Sequence, residues 1–234
     1  MAAAVVVSHR ALDGAAYRLE SDLDLREPFT SAVEVLVGGR LVEFTAGPVS
    51  LGESVAASLG VTAYDSELTF QGGTLLTAVT EEREPRSGLL ERPLLVVWRG
   101  RRYAMVTRLY GLDTASVLAL LRTLRITETG AGLVLVPDAA AGSGFAGAAT
   151  VTKEVPGLGL VEFTRRGKGH GDQLPPWKGV AVGSGELFRD TLSDGSPFFV
   201  LNAPEVWATV VPLSDTAVER VPELVGRLAL RLGD

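Results

Sequence analysis

The densest group of chemically capable side chains is Arg165-Arg-Gly-Lys-Gly-His-Gly-Asp172, in which Arg165, Arg166, Lys168 and His170 are interleaved with three glycines. Cations set among open backbone amides can hold a phosphate. The spacing matches neither a P-loop nor a dinucleotide-binding turn, however, and glycines this dense serve a mobile hairpin tip equally well. The simpler reading is a surface loop that meets a partner, with Trp177 shortly after it. Arg99-Gly-Arg-Arg102 is a second basic cluster, set between Trp98 and Tyr103. Interface energy concentrates in Trp, Tyr and Arg, so Arg99, Arg101, Arg102, Arg165, Arg166, Lys168, His170 and Trp177 are the candidate partner-binding residues. Trp98 ends a strand beside an arginine cluster, a position from which it could stack on a partner. Otherwise the tryptophans read as core or interface anchors.

Covalent and metal chemistry find little support. The chain has no cysteine, which rules out disulfides, zinc–thiolate sites, iron–sulfur clusters and thiol nucleophiles. Its two histidines, His9 and His170, are too few for a histidine-rich metal site. Ser8-His9-Arg10 with Asp13 nearby suggests a hydrolase, but the Gly-x-Ser-x-Gly turn that exposes a serine nucleophile is absent. Gly142-Ser-Gly144 and Gly183-Ser-Gly185 lack the outer glycine and read as turns. The carboxylate pairs Glu81/Glu82 and Asp22/Asp24 fall in a charged loop and on the wet face of an alternating strand. No catalytic residue, metal or cofactor is assigned.

The 234 residues are 46% hydrophobic and 21% charged, ordinary for a globular chain and enough for a substantial core. The net charge of −6 argues against nucleic acid as the main partner, because phosphate binding needs a basic footprint. The N-terminal Met1–Arg10 run has no basic region ahead of its apolar residues, and no apolar stretch is long enough to span a membrane. The cytoplasm is therefore the expected compartment. Abundant Ala, Val, Leu, Gly and Arg, with few Lys and Met, resembles the composition of high-GC bacteria or their phages.

The elements that must position these side chains are mostly hairpins. Val33, Val35 and Val37 alternate, Gly38-Gly39 supplies a tight turn, and Leu41–Thr45 returns. Leu-Val-Glu-Phe-Thr recurs verbatim at Leu160–Thr164. Ser50-Leu-Gly-Glu53 has the form of a capping box, and Gly60 would stop the helix that follows. Glu67–Phe70 and Thr74–Val79 suggest another hairpin around Gln71-Gly-Gly. The charged stretch 80–92, with Pro85 and Gly88, reads as a solvated loop. Asp113 or Thr114 caps a helix whose apolar face is Val117, Leu118, Leu120, Leu121 and Leu124. Asp138–Ala149, rich in Ala and Gly, reads as a linker.

Sliding the chain by 104 positions lays Pro93–Glu128 on Pro197–Leu232 without a gap and with eight identities, among them Val117/Val221, Leu120/Leu224 and Leu124/Leu228. Both stretches read as strand, strand, helix, strand, with Pro222 in the first turn of the second helix. The segments Leu94-Leu-Val-Val-Trp, Tyr103-Ala-Met-Val-Thr and Val117-Leu-Ala-Leu-Leu-Arg-Thr-Leu, within Leu94–Ile126, resemble the closing part of PsbP-like and LolA-like domains. That resemblance implies an α+β module with a curved antiparallel sheet against helices, used to bind proteins or lipids rather than for catalysis. The expected fold is α+β, with two duplicated antiparallel-sheet units and helices on one face of each. Residues 1–137 form the first unit with an N-terminal extension, 138–149 the linker, and 150–234 a second, shorter unit. The expected function is a non-enzymatic interaction or assembly protein (scaffold, adaptor or structural subunit) whose partner is another protein or itself. A binder of an apolar small ligand between sheet and helix is the alternative, and an enzyme with dispersed carboxylates and arginines comes third.

Overall fold

The computed structural model describes residues 3–83, 86, 88–214 and 216–233. Pro85 of the charged loop, and Met1 and Ala2 of the N-terminal run, lie outside the described residues. Contacts divide the chain into two units, one made of residues up to Ala11, Ala15–Phe29 and Ala149 onward, the other of Leu12–Gly14 and Thr30–Ala148.

In chain order the strands are β1 (Val5–Arg10), β2 (Ala16–Ser21), β3 (Phe29–Val37), β4 (Arg40–Pro48), β5 (Ser66–Phe70), β6 (Gly73–Val79), β7 (Glu82–Arg83), β8 (Leu90–Glu91), β9 (Leu94–Arg99) and β10 (Tyr103–Leu109). They continue as β11 (Leu124–Glu128), β12 (Leu133–Pro137), β13 (Gly144–Phe145), β14 (Thr150–Val155), β15 (Gly159–Arg165), β16 (Val180–Val182), β17 (Gly185–Thr191), β18 (Pro197–Asn202), β19 (Val206–Val211) and β20 (Ala229–Leu232). The helices are α1 (Leu51–Ser58), α2 (Thr114–Leu121) and α3 (Val221–Gly226), with 3-10 turns at Ala139–Ala141, Lys168–Gln173 and Val218–Arg220.

With 48% of residues in strands and 15% in helices, the protein is mostly β, which corrects the α+β expectation. Helices this short and few cannot cover one face of each of two duplicated sheets. The physical reason lies in the strands: Leu94–Trp98 is buried at every position, so its sheet is apolar on both faces and mainly other strands must cover it.

The unit containing 30–148 is built on antiparallel strands in the order β3-β4-β10-β9-β6-β5, with β13 paired to β3. Its hairpins turn where residues accept positive φ: Gly38 and Gly39 at 55° and 74°, Gln71 and Gly72 at 48° and 78°. Helix α1 lies against β9 and β10, and its Ala56 packs on Leu76, Leu95, Val97 and Val106. A Cβ on Gly52 would come within 2.5 Å of Val97 Cγ1, so glycine is what lets α1 lie this close. Ser50 itself is helical (φ −69°) and its hydroxyl makes no cap bond, so the expected capping box does not form. The opposite face buries Phe44, Leu75, Trp98 and Met105, and β12, paired with β11, packs against β10. Each such Leu, Phe or Met contributes about 1.5–3 kcal/mol. Within the charged stretch 80–92, β7 and β8 pair as a short ribbon.

The other unit has two antiparallel sheets, β16-β17-β18-β19-β15-β14 and β1-β2-β20. Tyr17 of β2 meets Phe163 of β15 edge-on, ring centroids 5.0 Å apart, so the small sheet packs on the large one. The repeated pentapeptide has one burial pattern in both places: Val42 and Phe44 are buried in β4, Val161 and Phe163 in β15. Residues 138–149, read as a linker, carry the 3-10 turn capped by Asp138 and then β13.

Candidate functional site

The candidate residues fall into two groups, each inside one unit. Arg99 ends β9, and Arg101 and Arg102 sit on the turn between β9 and β10. Its backbone is held by one carboxylate: Glu128 Oε2 accepts from the Arg101 amide (3.0 Å), and Oε1 accepts from the Arg102 (2.6 Å) and Tyr103 (3.2 Å) amides. Burial raises the Glu128 carboxyl, but the three amide bonds outweigh it and hold its pKa below the ordinary value of 4.5. Arg102 donates to the Thr129 carbonyl at 2.9 Å, and its guanidinium lies 5.9 Å from the Tyr103 ring centroid. Arg99 comes within 4.0 Å of Glu53. Two of the three arginines are thus engaged inside the protein. Trp98 is buried and donates its indole N–H to the Phe70 carbonyl at 2.9 Å, so it is a core residue and cannot stack on a partner.

Arg165 ends β15, and Arg166, Lys168, His170 and Trp177 lie between β15 and β16. The loop is fixed at its base. The Arg166 amide donates to the Glu205 carbonyl at 2.8 Å, and the Gly167 amide donates to His170 Nδ1 at 3.0 Å. The His170 ring stacks on Trp207 of β19, centroids 4.9 Å apart and planes 21° from parallel. Above this base the side chains face water: Arg165, Arg166, Lys168 and Lys178 are exposed, and Trp177 is 50% exposed. Arg166, Lys168 and Lys178 have no carboxylate partner among the described residues.

Two further features stand apart from these loops: Lys153, which the sequence did not mark, and Glu82, one of the carboxylate pair noted in the sequence. Lys153, one of the largest fully buried side chains, donates to the Glu27 carbonyl and lies 4.3 Å over the Phe29 ring, on whose plane His9 stacks at 4.7 Å. Burial lowers the Lys153 pKa, opposed in part by Glu27 and Asp24. The amine is thus enclosed within the protein by these contacts. Glu82 accepts from Arg108 (2.7 Å) and from the Tyr110 hydroxyl (2.9 Å), and the Tyr110 bond, then Arg108, lowers its pKa. Beside this triad a cavity of about 220 Å³ is lined by Val55 of α1 and by Thr45, Leu95, Val106 and Arg108. A smaller one of about 140 Å³, in the other unit, is lined by Val180, Leu187, Phe199, Val218 and Pro222, with Arg189 and Glu219 also contributing.

Among the described residues no cluster of three or more His, Asp or Glu side chains could hold a metal ion, and no helix is long and apolar enough to cross a membrane. Comparison with protein-family models, with curated proteins and with solved structures finds no match.

Proposed function

We propose that the protein works by contact, as an interaction or assembly protein, through the loop between β15 and β16. The observation that carries this reading is the exposed Trp177 among Arg165, Arg166, Lys168 and Lys178, on a loop whose base is fixed by the His170–Trp207 stack. A pre-ordered loop loses less entropy on binding, and aromatic and arginine side chains supply the energy. The partner surface is acidic and belongs to another protein or to a second copy. The test is recovery of partners from the native host, identified by mass spectrometry, with wild type and with Arg166→Glu/Lys168→Glu/Trp177→Ala. Recovery, or self-assembly measured by light scattering, should fall by about tenfold or more. All three side chains face water, so the melting temperature should hardly move. Equal recovery with both proteins removes the loop from the account.

A second reading, a binder of an apolar small ligand between sheet and helix, has the cavity of about 220 Å³ against α1 in its favour. That volume is smaller than most drug-sized pockets, so the ligand would be small. A stoichiometric small molecule in native mass spectra of protein purified from its host would favour this reading over the first.

A further inference from the structure

Beside the end of α2, the 30–148 unit carries a groove of about 570 Å³. Arg122, at the C-terminal end of α2, and Arg125 of β11 line it, together with Leu124, Val136, Pro137 and Asp138. Both arginines are exposed, and among the described residues neither guanidinium has a hydrogen-bond or ion-pair partner. They differ in this from Arg102, Arg108 and Arg227, each of which is engaged inside the protein.

The backbone that carries the two arginines is held by a network of hydrogen bonds. Gln71 Nε2 donates to the Leu121 and Leu124 carbonyls, at 3.4 and 2.7 Å, and its Oε1 accepts from the Ile126 amide at 2.8 Å. The Thr123 hydroxyl donates to the Leu120 carbonyl at 2.8 Å, and the Asp138 amide donates to the Thr123 carbonyl at 2.8 Å. Two guanidinia with unspent donors thus stand three residues apart on a fixed base. That arrangement suits an oxyanion able to take several N–H bonds at once. Asp138 is the carboxylate of the lining, and its Oδ1 accepts from the Ala140 amide at 2.9 Å. Two arginines against one aspartate leave the groove positive, in a chain whose net charge is −6. The volume lies within the range of ligand pockets, about 300–1,000 Å³, and exceeds what a bare inorganic anion fills. No aromatic side chain is among the described lining residues, so a nucleobase would find no ring to stack on.

We infer that this groove binds a small phosphorylated sugar or polyol. The phosphoryl group sits between Arg122 and Arg125, where its charge and its three oxygens meet the guanidinium forks. The carbon body rests on Val136 and Pro137, and one of its hydroxyls donates to the Asp138 carboxylate. The site lies apart from the loop between β15 and β16 and goes beyond the contact reading, on which it does not depend.

The probe is glucose 6-phosphate, titrated into the isotopically labelled full chain beside glucose, ethyl phosphate and adenosine monophosphate. It should shift amide resonances within residues 121–126 and 136–142. It should bind at least about tenfold more tightly than glucose, which lacks the charge, and than ethyl phosphate, which lacks the hydroxyls. Arg122→Gln and Arg125→Gln each remove charge-assisted hydrogen bonds and should each weaken binding by about tenfold or more. Both side chains face water, so the melting temperature should hardly move. Glucose binding as well as its phosphate overturns the proposal, as does either arginine variant binding like wild type. Ethyl phosphate or adenosine monophosphate binding at least as tightly overturns the assignment to a sugar or polyol. The variant Arg166→Glu/Lys168→Glu/Trp177→Ala should bind the sugar phosphate as wild type does. Lost binding in that variant would place the phosphate at the loop and remove the groove, whereas retained binding with lost partner recovery leaves both readings standing.

Discussion

The stretches 93–128 and 197–232 have the same order of elements and end in different ways. In each, two strands form a hairpin, a short helix follows, and a last strand closes: β9, β10, α2, β11 in one, and β18, β19, α3, β20 in the other. Two buried helix positions correspond, Val117 with Val221 and Leu121 with Val225, whereas Leu224 is buried and its counterpart Leu120 only partly so. The last strands differ in company. β11 pairs with β12, which follows it directly, whereas β20 pairs with β2, far away in sequence. The helix ends are fastened differently as well. Gln71 donates to the carbonyls of Leu121 and Leu124 and accepts from the Ile126 amide, closing α2 with neutral bonds. Past α3, Arg227 makes two hydrogen bonds of 2.8 Å to Asp22, and the Ser21 hydroxyl donates to its carbonyl. A shared order of elements is thus a local property, set by apolar spacing and caps. Which strand each element joins is decided by side chains elsewhere in the chain.

The largest expected effect tests the packing of α2. Leu121 is fully buried and Leu120 only partly, so Leu121→Ala should cost about 2–5 kcal/mol in denaturant unfolding and Leu120→Ala clearly less. Equal losses at the two sites would mean that the buried face of α2 is wrongly assigned. A smaller effect separates the two hairpin turns. Glu128 corresponds by position to Leu232, which has no carboxylate to offer, so only the first turn has its amides bound this way. Glu128→Ala should cost about 1.5–3 kcal/mol at neutral pH. The carboxyl has a lowered pKa in the folded state, so its contribution is complete above the ordinary value of 4.5 and disappears as pH falls through the folded value. The difference between variant and wild type should therefore vanish in acid, and a difference independent of pH would show that the amide bonds are not its source. The smallest effects distinguish the helix ends. Gln71→Gly loses three hydrogen bonds but relieves a backbone φ of 48°, for a net cost of about 1 kcal/mol that salt leaves unchanged. Asp22→Asn should cost less than Gln71→Gly, and molar salt should erase even that, because the pair with Arg227 is partly exposed. Salt sensitivity at Gln71 and none at Asp22 would invert the comparison.

Hairpins were legible in the sequence wherever local chemistry determines them. Gly38-Gly39 and Gln71-Gly72 sit at two-residue turns, Asp113 caps α2 by accepting from the Ser116 amide at 2.8 Å, and Pro222 lies in the first turn of α3. The balance of strand and helix was harder to read, since it depends on which faces are covered and β9 is buried on both. Pairing between distant segments, such as β2 with β20, leaves no trace in local spacing. In the candidate site, the exposed basic loop was visible as a run of glycines and cations. Glu128 was invisible, because nothing in Thr127-Glu-Thr129 marks a carboxylate that will bind amides some 26 residues earlier. Lys153 was equally silent: an alternating strand conceals which of its polar residues turns inward.

The three tryptophans give the molecule a built-in optical label. Trp98 is the single indole of the 30–148 unit, enclosed against Gly73 and Gly100, where any Cβ would come within 3 Å of its ring. Trp177 and Trp207 belong to the other unit, one in water and one under the His170 imidazole. A sheltered indole emits further to the blue than a wetted one, so the two units carry different colours. Following both ends of the emission band through a thermal melt would show, without any added dye, whether the halves of this chain come apart together or in turn.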